Sequence, residues 1–174
     1  MPNLENILAG SPPNQGEAFP PEASVFPKLL RRAWYGLNQA FRRRIAHLEM
    51  TPDQYTVMRT LTQGNEEGLT QKQLTTRMSS DPNTVASLLE RMEKAGFIER
   101  KIDPDDRRAR RISLKPYGIN RFQQAKDIAI QLQAEVLQSL PEKRKSLFLE
   151  ELASIADSCR AAADNSPRKS NRKI

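Results

Sequence analysis

Cysteine and histidine are almost missing from this chain, which has one of each, Cys159 and His47, among 174 residues. A single cysteine excludes an internal disulfide framework, and one thiol with one imidazole is too small a donor set for a transition-metal site within one chain. Aromatic residues make up only 6%, and no glycine-rich loop is present that would cradle a nucleotide phosphate. No apolar run approaches the roughly 18 residues that mark a membrane span, and Met1-Pro2-Asn3-Leu4-Glu5-Asn6 has neither the basic nor the apolar region of a signal peptide. The expectation is a cytoplasmic protein. Nucleophile–base pairs and carboxylates at metal spacing are also lacking, so no enzyme activity and no cofactor are expected.

Positive charge, by contrast, is plentiful. Twenty-eight Lys and Arg against 21 Asp and Glu leave a formal +7 and a pI near 9.8, the balance of a protein that meets polyanions. Charge alone does not choose between DNA, RNA and a membrane surface. The length suits one domain with tails. Pro2, Pro12, Pro13, Pro20 and Pro21, with Gly10 and Gly16, make residues 1–24 read as a flexible N-terminal arm. Residues 164–174 read as a basic C-terminal tail containing Arg168, Lys169, Arg172 and Lys173.

Between these ends the apolar residues fall at helical spacing, interrupted once. Leu30, Trp34, Leu37, Phe41, Ile45 and Leu48 predict an amphipathic helix from about Val25 to Glu49. Thr51-Pro52-Asp53-Gln54 opens a second helix, which Gly64 stops. Thr70-Gln71-Lys72-Gln73 repeats that grammar for a short third helix ending near Ser79. Asp81 and Pro82 then open a fourth, with Val85, Leu88, Leu89 and Met92 as its buried stripe and Gly96 as its stop. Two short helices joined by a tight turn form a helix-turn-helix candidate. Residues 97–102 and 110–114 are short, β-branched and partly alternating, so they suit a hairpin whose turn, Asp103 to Ala109, should project into solvent. A fifth helix follows through Ile119, Phe122, Leu132 and Val136; Ser139-Leu140-Pro141-Glu142 offers a capping box for a sixth, which contains Phe148, Leu152, Ile155 and Cys159. The fold class expected is mainly α with a small β-hairpin wing: a winged helix-turn-helix head over 51–115 and a helical dimerisation region over 25–50 and 116–163. The first and last two helices carry more apolar stripe than so small a head could cover, which calls for a second copy.

On a helical wheel Asn83, Ser87, Glu90, Arg91 and Lys94 lie opposite the apolar stripe of the fourth helix, with Thr84 at its boundary. Short polar side chains near the N-terminal end of such a helix can reach base edges in a major groove. Any soluble helix has a polar face, and that plain alternative has equal weight for this helix taken alone. The hairpin adds a second observation, because six basic and four acidic residues lie between Glu99 and Arg111, with Arg107 and Arg108 at the tip. An arginine held there can enter a narrow minor groove, where the potential is strongly negative, and Asp106 is placed to orient the Arg108 guanidinium. A solvated charged turn is the competing explanation.

Leu69-Thr70-Gln71-Lys72-Gln73-Leu74, the run from Thr84 to Arg100, and Asp103-Pro104-Asp105-Asp106-Arg107-Arg108-Ala109-Arg110 together resemble the MarR family of winged-helix regulators across roughly residues 25–160. The resemblance implies a homodimer whose first, fifth and sixth helices intertwine, and a role as a sequence-specific regulator of the repressor type acting on double-stranded DNA at a pseudo-palindromic operator. It places Asn83, Thr84, Ser87 and Arg91 on the recognition helix, Asp106 and Arg108 on the wing's aspartate–arginine pair, and Arg107, Arg110, Gln71 and Lys72 against phosphates. Two departures stand out: Asp105 occupies a place where the family often has arginine, and Lys115 replaces the usual threonine that opens the fifth helix.

The resemblance also implies release from DNA by a small aromatic or anionic effector, with Trp34, Leu37, Phe41, His47, Tyr55 and Met58 placed to line its cavity. Core packing is the commoner use of such residues. Cys159 continues the apolar stripe of the sixth helix, so a buried, inert thiol is expected there rather than a redox sensor. Arg42-Arg43-Arg44 and the basic tail either add non-specific DNA affinity or are solvated charge. The main rival function is a winged-helix module that docks to another protein, which the paired wing arginines disfavour; a metal-sensing repressor lacks the Cys and His it would need.

Overall fold

The computed structural model describes residues 21–64, 67–103, 106 and 108–165, with side chains from residue 25 onward. It divides into two compact units, residues 1–52 and 53–174.

The first unit is built on α1, Pro21–Arg44. It begins four residues before the expected start, because proline's fixed φ is already suited to a first helical turn. Residues 21–24 therefore belong to the helix and not to the arm, and the rest of the arm, 1–20, lies outside the described residues. The helix also ends early, tightening into a 3-10 turn over Ala46–Leu48, and Glu49 closes it in the left-handed conformation (φ 55°) with its N–H on the Ala46 carbonyl. Ile45 and Leu48 are fully buried, while Leu29, Leu30, Trp34 and Leu37 are exposed.

The second unit holds α2 (Pro52–Thr62), β1 (Leu69–Thr70), α3 (Gln71–Arg77), α4 (Pro82–Lys94), β2 (Ile98–Ile102), β3 (Arg110–Leu114), α5 (Pro116–Leu137) and α6 (Glu142–Asp164). The third and fourth helices start where their capping residues predict. Gln73 N–H donates to Thr70 Oγ1 at 3.3 Å and Thr70 N–H donates to Gln73 Oε1 at 2.8 Å, a complete capping box. Asp81 Oδ1 accepts from the Asn83 and Thr84 amides at 2.9 and 3.0 Å, and Pro82 supplies the first helical position, where no donor is needed. Caps of this kind are worth ~1 kcal/mol each. Leu74, Val85, Leu89, Met92, Ile98 and Ile112 are all buried to within a few per cent, and each contributes ~1.5–3 kcal/mol by leaving water.

The sheet has one strand more than the hairpin expected from sequence. Its order is β1-β3-β2, all antiparallel, with Leu69 opposite Ile112 on one side of β3 and Arg100 opposite Ile112 on the other. Tyr55 is buried and stacks on Phe122 of α5 with ring centroids 5.6 Å apart; burial pushes its phenol pKa up and keeps it neutral. The capping box expected at Ser139 does not form. Pro141 takes the cap position without a side-chain bond, and the Ser139 hydroxyl instead donates back to the Val136 carbonyl at 2.9 Å. None of the residues of α6 is buried, and Cys159 is exposed, contrary to the buried thiol expected. An apolar stripe buries its residues only where something covers it, and the described residues of this unit leave that one uncovered. No helix among the described residues is long and apolar enough to cross a membrane.

Candidate nucleic-acid interface

Three elements of the second unit carry the candidate residues. On α4, the buried stripe of Val85, Leu88, Leu89 and Met92 leaves Asn83, Thr84, Ser87 and Arg91 exposed on the other side. Thr84 Oγ1 lies 3.4 Å from Asp81 Oδ1, so its hydroxyl shares the cap. Arg91 folds back along the helix, with Nε donating to the Ser87 carbonyl at 3.3 Å, a weak bond that a stronger acceptor would displace. Lys94 pairs with Glu90 at 2.8 Å, and that hydrogen bond holds the Glu90 carboxyl below the usual range.

The start of α3 is tied to the start of α4, since Gln71 Nε2 donates to the Pro82 carbonyl at 3.4 Å. Lys72 is exposed beside it. The wing then faces α3 across a cleft of about 510 Å³, lined by Thr70, Gln71 and Lys72 on one wall and by Asp106, Arg108 and Arg110 on the other. Residues far apart in sequence, named for different contacts, thus share one surface feature. Arg107 lies outside the described residues.

Two wing carboxylates act differently from the sequence expectation. Asp106 Oδ1 accepts from the backbone N–H of Arg108 at 2.9 Å, rather than from its guanidinium. An aspartate two residues before an amide closes an Asx turn at little conformational cost, which fixes the Arg108 backbone and leaves the side chain exposed. Asp103, expected in solvent, is 4% exposed. Its Oδ2 accepts from Arg111 Nε at 2.9 Å, while Arg111 Nη1 reaches Glu67 Oε2 at 3.1 Å. Arg111 thereby joins the base of the wing to the segment leading into β1, a structural role that sequence reading missed. Asp103→Ala breaks a mostly buried pair; with Glu67 still present, the expected loss is about 2 kcal/mol, below the ~3–5 of a fully isolated charge. The midpoint of urea unfolding checks this, and an unmoved midpoint would show that the pair carries no weight. Next to it, Arg100 Nε lies 3.1 Å from Glu93 Oε2, an ion pair without hydrogen-bond alignment that links β2 to the end of α4. Lys101 holds the Glu99 carboxyl below its ordinary range by a hydrogen bond, so this acid stays ionised beside the basic residues.

The effector candidates are divided between the units. Trp34, Leu37 and His47 are exposed and Phe41 is buried in the first; Tyr55 is stacked and Met58 fully buried in the second.

A helix-turn-helix set between the first and second strands of a three-stranded antiparallel sheet, with a charged wing, defines a winged-helix protein. The MarR family model matches residues 50–109. Transcriptional regulator HosA of Escherichia coli O111:H- is 30% identical over 127 residues, which are 70% of this chain and 93% of that protein. This chain belongs to the MarR family. HTH-type transcriptional regulator TtmR of Methylorubrum extorquens is 36% identical over 86 residues, 49% of this chain, and the match spans only 43% of TtmR. Two solved structures share the fold: the S. aureus MepR–DNA complex, with TM-score 0.72, 22% identity and coverage of 77% of this chain and 98% of that one; and the repressor CouR on a 23-mer DNA duplex, with TM-score 0.70, 24% identity and coverage of 81% and 99%. A further CouR structure, from Rhodococcus jostii RHA1, is bound to p-coumaroyl-CoA.

Proposed function

We propose that this regulator is a homodimeric repressor that reads a pseudo-palindromic operator and leaves it when a small aromatic or anionic effector binds. The observation that carries the DNA reading is the cleft in which the opening of α3 and the wing face each other, with the exposed edge of α4 tied to the same corner through Gln71 and Pro82. Asn83, Thr84, Ser87 and Arg91 read base edges in the major groove, Arg108 enters the minor groove, and Gln71, Lys72, Arg107 and Arg110 hold phosphates. Dimerisation is supported by α6, whose Leu147, Phe148, Leu152 and Ile155 are all exposed in the single chain, an apolar surface that calls for a partner. The dimerisation region is therefore drawn from residues 25–50 and 116–163 and the reading head from 51–115.

The effector half of the proposal draws on CouR, which binds an aromatic acyl-CoA. Of the candidate residues, Trp34, Leu37 and His47 have exposed surface, while Phe41 in the first unit and Tyr55 and Met58 in the second are buried. Sedimentation of the free protein and a salt titration of its DNA complex test the first two parts. A dimer making some six phosphate contacts is expected to give a log–log salt slope of about −5, from ~0.9 per contact. A monomer would remove the two-fold operator, and a slope near zero would remove the phosphate contacts.

A further inference from the structure

Ser79, in the turn between α3 and α4, has a φ of 49°, a left-handed conformation that L side chains other than Asn and Asp seldom adopt. Hydrogen bonds from two directions hold it there. The Ser79 N–H donates to the Thr76 carbonyl and the Ser80 N–H to the Thr75 carbonyl, each at 3.2 Å, which ties the turn back to α3. From the other direction, Arg160 Nη2 of α6 donates to Ser79 Oγ at 2.7 Å across 81 residues of sequence. Asp81, the cap of α4, and Pro82, its first residue, follow directly, so whatever holds Ser79 also holds the start of α4.

Arg160 lies near the end of α6, a helix none of whose residues is buried and whose Leu147, Phe148, Leu152 and Ile155 present an apolar face for a second copy. On a helical wheel Arg160 stands off that face, so a copy that covers it does not have to displace the bond to Ser79. One helix thus carries both the surface offered to the second copy and a guanidinium fastened to the turn before α4. Both partners of the bond are exposed and its acceptor is a neutral hydroxyl, so it adds little to the stability of the fold. Its effect is to restrict where α4 sits relative to α6.

We propose that Arg160 is a positioning residue for operator reading: through Ser79 it fixes α4 relative to the helices that join the two copies, and so sets the half-site spacing that the dimer accepts. It acts without a DNA contact of its own, and the proposal rests on the homodimer and DNA readings above. A two-fold dimer matches half-sites about one helical turn apart only while each α4 is held at a fixed distance from the axis. Without the bond each α4 must be ordered at the moment of binding, which costs affinity at the right spacing and relaxes discrimination against a wrong one.

The test uses the full chain, Arg160→Ala, Ser79→Ala and the double variant. Each is titrated against an inverted repeat selected by the full chain, and against the same repeat with one base pair inserted between its half-sites, at several salt concentrations. Either single variant is expected to bind the selected repeat about 10-fold more weakly, the equivalent of one modest hydrogen bond per chain, and the lengthened repeat as the full chain does. The spacing preference therefore shrinks by the same factor. The double variant is expected to lose no more than a single one, because both changes remove one bond. Salt slope and Tm are expected to stay at full-chain values. A slope shallower by about 2 for Arg160→Ala but not for Ser79→Ala, from ~0.9 per chain, would make Arg160 a phosphate contact and overturn the positioning role. Single variants that keep the full-chain spacing preference, or that lose affinity equally on both duplexes, would overturn it too, while the DNA reading stands. If the full chain selects no inverted repeat, or binds both spacings alike, the two-fold operator reading falls, and this inference with it.

Discussion

Alanine in place of Gly118 is expected to destabilise the protein by about 3 kcal/mol, near the upper end of overpacking costs. A Cβ on Gly118 would stand 2.1 Å from the Phe97 carbonyl oxygen and 2.9 Å from its carbon. Both are backbone atoms, so no flexible side chain can give way. The same carbonyl accepts the Lys115 N–H at 3.0 Å, the Phe97 ring stacks on Tyr117 at 5.5 Å and 4°, and the Arg121 guanidinium lies over the Tyr117 ring, 5.2 Å from its centroid. Moving Gly118 away would therefore disturb the joint between the end of α4 and the start of α5. Lys115 caps α5 without any side-chain bond, unlike the threonine usual there, so this close approach carries more of the joint's definition. In a chain of this size the loss corresponds to a Tm lower by roughly 6–12 °C. Gly96→Ala is the comparison: its φ of 76° is strained for alanine, but nothing lies within 4 Å of the added carbon, so ~1 kcal/mol is expected. A loss at Gly118 no larger than the one at Gly96 would show that the Phe97 carbonyl gives way and does not set the cost.

Arg108→Ala is expected to weaken operator binding by about 100-fold for a dimer, ~2.7 kcal/mol, as two wing arginines leave the minor groove. Folding should be untouched. The side chain is exposed, and the bond from its backbone N–H to Asp106 Oδ1 survives in alanine. Arg108→Lys keeps the charge but loses the planar fork, so an intermediate loss is expected. Thermal unfolding measured alongside DNA titration separates the effects: unchanged Tm with lost affinity supports the wing contact, whereas unchanged affinity would return the wing to a solvated charged turn.

Local grammar explains which parts of this fold are legible from sequence. Thr70 with Gln73, and Asp81 with Pro82, satisfy backbone donors within three residues of themselves, so the starts of α3 and α4 can be read directly. The stripe of Val85, Leu88, Leu89 and Met92 needs only helical periodicity. Strand β1 escapes such reading because two residues have no period, and Leu69-Thr70 is already accounted for as the approach to a cap. The burial of Asp103 escapes it because an aspartate beside a proline signals a turn, while its partner Arg111 becomes a neighbour only once the hairpin has closed. The bond from Arg160 to Ser79 has no local signal at all. Cys159 shows the reverse error: the stripe on α6 is real, but a stripe predicts burial only when its covering surface is present. The candidate site follows the same division. Its residues on α4 and the wing follow from pattern and resemblance, whereas the convergence of Asp106, Arg108 and Arg110 with Gln71 and Lys72 on one cleft needs the folded chain.

The most direct test of the regulator account is selection of bound duplexes from a random-sequence pool by the purified protein. The account predicts enrichment of an inverted repeat whose half-sites are centred about one helical turn, ~10 base pairs, apart, with enrichment lost for Arg108→Ala. A bound pool as random as the input would contradict it.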